Sequence, residues 1–185
     1  MQKIIRGRGS LLTVLLLMAL NAGVVSANVD VVKDVNLESY AGTWYEIARI
    51  PNKLQKGMVD VTSTFKPLGK GDYSLITKGF KGSRRGKRTT IEGKVVVNRK
   101  KTGDLKVKVM RFFTVGYKII DLDKKDYQFA LVTSDSKDFL WILSKTPVMD
   151  ERAYNKMVMS AREKGFDVGR LERVPQSLNS AVAER

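Results

Sequence analysis

The side chains that could do chemistry are defined first by what is missing. The 185 residues contain no histidine and no cysteine. Histidine triads, cysteine nucleophiles and the usual zinc ligand sets are therefore excluded. Acid–base work would fall to Glu46, Tyr117, Tyr127 and the lysines. No two carboxylates stand at a recognisable spacing for a matched acid and base. No catalytic residue, metal ligand or cofactor is expected, which leaves binding. The most conspicuous binding candidate is a loop in which Lys81, Arg84, Arg85, Lys87 and Arg88 interleave with Gly79, Gly82 and Gly86. The formal net charge of +15 favours anionic partners such as acidic lipid headgroups, lipopolysaccharide or nucleic acid. Phe80, at the loop edge, is its single aromatic residue. The loop thus lacks the stacking platform of single-strand binders, and nucleic acid is not an expected partner.

The elements that must position these residues read as strands. Apolar runs or period-two alternation, bounded by Gly, Pro and Asp clusters, occur at 43–50, 59–65, 73–77, 89–97, 105–109, 117–122, 127–133 and 139–143. Short connections between consecutive strands imply antiparallel neighbours. Eight such strands close into an up-and-down barrel, whose interior holds side chains or one small ligand. The period then changes. Asp150 is a natural N-cap, Glu151 falls in the first turn, Ala153, Tyr154, Met157, Val158 and Ala161 recur at helical spacing, and Gly165 stops the run. The predicted fold is all-β: an eight-stranded antiparallel barrel with one C-terminal α-helix packed outside. Residues 168–174 could add a last short strand.

Residues 1–27 read as a secretory signal peptide. Lys3, Arg6 and Arg8 precede an apolar run, and Val25-Ser26-Ala27 supplies the small residues of a cleavage site. No cysteine follows that run, so a periplasmic or secreted soluble protein is expected, not an acylated one. A disulfide-free exported domain suits a bacterial periplasm. The domain would span 28–175, with a frayed polar tail at 176–185.

The run Gly42-Thr43-Trp44-Tyr45-Glu46-Ile47-Ala48-Arg49-Ile50-Pro51 resembles the first motif of the lipocalin family, Gly-x-Trp at the start of the first strand. It looks like the branch holding bacterial lipocalins and apolipoprotein D. Asp121 to Val132 (DLDKKDYQFALV) is similar to the family's turn between strands six and seven, and Asp138 to Pro147 (DFLWILSKTP) to its last barrel strand. The resemblance covers about residues 35–175. It implies that Gly42, Trp44 and Lys145 build the barrel floor. Lys145 stands where the family usually carries arginine, over the Trp44 ring, and lysine lacks the flat guanidinium that stacks.

Alternation puts Glu46 and Ala48 on the inward face if Trp44 is inward. A carboxylate inside an apolar barrel needs a partner, and Arg49, Lys118 or a polar ligand head would serve. Phe139, Trp141 and Leu143 share one face of the last strand, opposite Leu140, Ile142 and Ser144. The resemblance implies that the Phe139 and Trp141 face lines the lumen, that Phe80, Ile91, Phe113, Tyr117 and Val132 also point inward, and that Asn52 lies at the mouth. Connections one, three, five and seven share a rim carrying Lys53, Lys56, the basic loop, Phe113 and Lys137. That rim is the open mouth in the family. The implied function is storage or transport of a fatty acid or lysophospholipid-like ligand in envelope lipid maintenance. An anionic membrane surface is a further candidate partner, and the protein would be a monomer or homodimer. The alternative is a lipocalin-fold enzyme doing isomerase or epoxide chemistry on a lipophilic substrate.

Overall fold

The computed structural model describes residues 29–53, 55–109 and 113–177. The expected signal peptide and the end of the expected tail lie outside these residues. Eight strands form the barrel: β1 (Gly42–Arg49), β2 (Met58–Gly69), β3 (Asp72–Lys81), β4 (Arg88–Val97), β5 (Asp104–Val109), β6 (Phe113–Leu122), β7 (Phe129–Thr133) and β8 (Leu140–Ser144). Each pairs antiparallel with its chain neighbour. β1 joins both β2, through Thr43 opposite Thr64, and β8, through Tyr45 opposite Ser144, so the ring closes. Closure removes the unpaired edges that an open sheet would expose.

The period-two code is cleanest in β5. Leu105, Val107 and Val109 are buried while Lys106 and Lys108 are exposed. Inward side chains of the strands make one apolar cluster, which includes Trp44, Phe65, Leu105, Tyr117, Ile119 and Val132. A second cluster lies on the outer wall. There Ile47, Ile120, Leu131, Leu140 and Ile142 meet Met157, Ala161 and Phe166. These last three belong to helix α2 (Glu151–Glu163) and the turn after it. Asp150 caps α2 by accepting from the Arg152 and Ala153 amides at 2.9 and 3.1 Å. Gly165 follows with φ +77°, the left-handed conformation that ends a helix.

Alternation along β1 breaks once. The register with β8 shifts between Glu46 and Ala48. Ala48 therefore joins the outer cluster and Arg49 turns inward, correcting the expectation that Ala48 faces the lumen. One extra residue in a strand re-aims everything after it.

Two further elements flank the barrel. Helix α1 (Leu37–Tyr40) is one turn capped by Asn36, which accepts from the Glu38 and Ser39 amides. The segment expected as a last strand is a 3-10 turn, Val168–Arg170, then a two-residue strand β9 (Glu172–Arg173) beside the end of β1. The ordered chain runs past residue 175. Gln176, in the expected tail, is buried and donates to the carbonyls of Glu46 (2.9 Å) and Val61 (3.1 Å), and the Ser177 amide donates to Asp60.

Candidate ligand-binding lumen

One end of the barrel is solid. Tyr40 of α1 drops into it and stacks obliquely on Trp44 at 4.6 Å, edge-on to Phe65 at 5.4 Å. Phe65 in turn meets Tyr73 at 4.9 Å. Tyr40, Trp44 and Phe65 are all fully buried. Their polar atoms are satisfied: Trp44 Nε1 donates to the Tyr40 carbonyl at 2.8 Å, and the Tyr40 and Tyr117 hydroxyls share a hydrogen bond of 2.7 Å. Burial pushes both phenols well above the ordinary tyrosine range. Below Trp44, Lys145 Nζ lies 4.2 Å from the ring centroid and donates to the carbonyls of Tyr40 and Ala41. Gly42 has φ +102°, and a Cβ there would stand 3.3 Å from Lys145 Nζ. Glycine serves both the backbone and the approach of the ammonium. Desolvation pulls the Lys145 pKa down to about 8.

Away from the floor, burial of the inner wall is less complete. Leu75, Ile91 and Trp141 face the lumen cluster but are only partly buried. Phe113, whose register partner Val109 faces inward, is also partly buried. Inward residues that keep exposed surface border space that solvent or a ligand can enter. At the same height as Trp141 sits a buried polar cluster. Glu46, 2% exposed, accepts from Arg49 Nη1 at 2.7 Å and from Gln55 Nε2 at 2.8 Å. Arg49 Nη2 donates to the Met58 carbonyl at 3.0 Å, and its Nε is buried without a partner. Gln55 Oε1 accepts from Trp141 Nε1 at 2.8 Å and from Asn52 Nδ2 at 3.0 Å. Desolvation raises the Glu46 pKa, with Arg49 opposing it.

The placement of the expected site residues follows. Glu46, Asn52 and Trp141 meet through Gln55. Phe139 stacks on Trp141 at 5.9 Å. Val132 pairs with Trp141 across β7 and β8 and is fully buried inside. Tyr117 belongs to the floor through Tyr40, and Ile91 lines the wall. Of the two side chains expected as partners of Glu46, Arg49 is the one that meets it. Lys118 points outward and pairs with Asp135 at 2.9 Å. Phe80 corrects its expectation: it stands on the outer wall, in a cleft with Tyr45, Thr62, Lys78 and Arg88. Strand register explains this, because Phe80 shares a face with Lys78 while Thr77 and Ile91 pair on the other. Two residues of the site had no signal in the sequence. Gln55 reads as a solvated loop residue, and Tyr40 as an apolar residue ahead of a strand. Both are recruited by folding alone.

Lys145 lies over the Trp44 ring at the floor, where the sequence resemblance put it. The profile of the lipocalin-like domain matches residues 35–176. The chain belongs to the lipocalin family. This lipocalin is 35% identical over 162 residues to the outer membrane lipoprotein Blc of Escherichia coli, covering 87% of this chain and 90% of that one. It is 33% identical over 150 residues to the outer membrane lipoprotein Blc of Vibrio cholerae, covering 80% and 87%. The lobster apocrustacyanin A1 structure shares the fold, with a TM-score of 0.62 and 22% identity over 76% of this chain and 79% of that one. Lipocalin barrels bind small hydrophobic ligands, and the two Blc relatives are named as outer membrane lipoproteins. Among the described residues, no helix of this lipocalin is long and apolar enough to cross a membrane.

Proposed function

We propose that this lipocalin binds and carries a fatty acid or lysophospholipid-like molecule, as a soluble protein of the periplasm or secreted space, in envelope lipid maintenance. The acyl chain lies along Ile91, Phe113, Val132, Phe139 and Trp141, above the floor that Tyr117 helps to build. The polar head sits toward the mouth, near Asn52 and the Glu46–Arg49–Gln55 cluster. The observation that carries this reading is the partly exposed apolar inner wall above a solid aromatic floor. An apolar pocket with a few convergent polar groups is what such a ligand requires. Glu46 is held by the ion-paired hydrogen bond from Arg49 and by a second from Gln55, which suits orientation of a head group more than abstraction of a proton.

The test has two parts. Protein purified from its own host envelope is analysed by native mass spectrometry, and delipidated protein is titrated with a fluorescent fatty acid and with lysophosphatidylcholine. A co-purifying lipid in one-to-one ratio, chemically unchanged, and saturable binding are expected. Absence of both overturns the proposal, and release of a chemically altered lipid favours the enzyme reading.

A further inference from the structure

The charge on the mouth is unevenly neutralised. Beside β7 and β8, Lys118 pairs with Asp135 at 2.9 Å and Arg170 with Asp138 at 3.2 Å. On the opposite side, the connections β1–β2 and β3–β4 lie against one another. The Gly82 amide donates to the Gly57 carbonyl at 2.7 Å, and Lys81 Nζ donates to the Lys56 carbonyl. Together they form a shelf that presents Lys53, Lys56 and Lys81 beside Arg84, Arg85, Lys87 and Arg88, all exposed. The acid that faces it, Asp60, is already engaged by Arg84 at 3.4 Å and by the Ser177 amide at 2.6 Å.

Beneath this shelf, on the outer wall, is a cleft of about 270 Å³. Phe80 lines it together with Lys78, Arg84, Arg88, Tyr45 and Asp60. The outward residue next along this face of β4 that carries negative charge is Glu92. An outward-facing, half-buried aromatic ring set among cations does nothing for the lumen and nothing for the outer core under α2.

We propose that this half of the mouth docks on an anionic lipid bilayer, with the cations on the lipid phosphates and Phe80 at headgroup depth. Basic residues near an anionic leaflet are each attracted to it, and one apolar ring among them adds burial that a soluble polyanion cannot supply. Docking there turns the open end of the barrel toward the membrane, the source and sink of the ligand class proposed above. The docking itself needs no ligand and is measured without one.

The experiment floats delipidated protein, lacking residues 1–27, with phosphatidylcholine vesicles that do or do not contain phosphatidylglycerol, at low and high salt. Binding is expected only with phosphatidylglycerol and is expected to weaken with salt. Neutralising Arg84, Arg85, Lys87 and Arg88 to glutamine is expected to weaken it by more than about tenfold, and F80S by about threefold or more. Neutralising Lys100, Lys101 and Lys124, at the floor end, is expected to change it little. A Phe80→Trp variant is expected to shift its emission to the blue on anionic vesicles. Equal loss from the floor-end variant, or unchanged vesicle binding in F80S together with an unshifted Phe80→Trp emission, overturns the proposal. So does duplex DNA binding that matches the vesicles and is equally indifferent to F80S, which marks a generic polyanion surface.

Discussion

Glu46 and Arg49 are each nearly inaccessible, and each depends on the other for a counter-charge. Removing one partner of a buried pair leaves an uncompensated charge and costs about 3–5 kcal/mol. Glu46→Gln is therefore expected to lower stability by about that amount in urea titration. Adding Arg49→Met to it is expected to recover part of the loss, because the double variant buries no charge. Lys145 poses the opposite problem. Its folded pKa of about 8 lies below the usual 10.5 because burial disfavours the ammonium. The folded protein thus holds this proton more weakly than the unfolded chain does. Its contribution to stability is flat below pH 8 and rises as pH climbs from about 8 toward 10.5. Arginine stays charged throughout that range. The melting temperature of the wild type is expected to gain on that of Lys145→Arg between pH 8 and 9.5, below the range in which the buried phenols titrate. A constant difference across that window would remove the argument. Gly42 and Trp44 were legible as residue types, but the reason for glycine was not. It lies in a backbone angle and in a lysine side chain from the other end of the domain.

At the scale of elements, strands with strict alternation were legible because each residue's burial follows from its neighbours two positions away. β5 is such a strand. β1 was legible only to Glu46. A bulge leaves no mark in residue type, so the inward turn of Arg49 and the outward turn of Ala48 had to come from the pairing with β8. The face of Phe80 was lost differently. It came from family resemblance, and the registers with β2 and β4 place it outside. Helix α2 was legible from its cap and its 3.6 period. Its apolar stripe is spent on the outer wall, where Met157 is fully buried. Met157→Ala is expected to cost about 2–4 kcal/mol in urea titration while leaving ligand affinity within about twofold, since the side chain is walled off from the lumen by the barrel. A large loss of affinity at unchanged stability would show that α2 and the lumen communicate. Helix α1 was not legible. One turn is too short to carry a periodic signal, and it is held by Asn36 and by the burial of Leu37 and Tyr40.

At the scale of the whole molecule, the barrel is polarised along its axis: buried aromatics at the floor, a buried polar cluster toward the mouth. A ligand that binds only the closed ring stabilises it by mass action. A fatty acid at a hundred times its dissociation constant is expected to add about 2.7 kcal/mol. In a domain of this size that raises the melting temperature by roughly 5–10 °C in differential scanning fluorimetry. An unchanged melting temperature alongside measured binding would place the ligand outside the barrel.

The amino-acid sequence by itself determined the number of barrel strands, the order of strands then helix, and the absence of histidine and cysteine chemistry. These follow from local alternation, capping and composition, which neighbouring residues set among themselves. Only the tertiary structure decided which polar groups meet in the lumen and, among the described residues, which rim cations pair with acids. Glu46 finds Gln55 nine residues on, and Gln55 finds Trp141 eighty-six residues away. Closing the ring is what brings those positions together. Their hydrogen bonds are dictated by burial after closure, which no local pattern records.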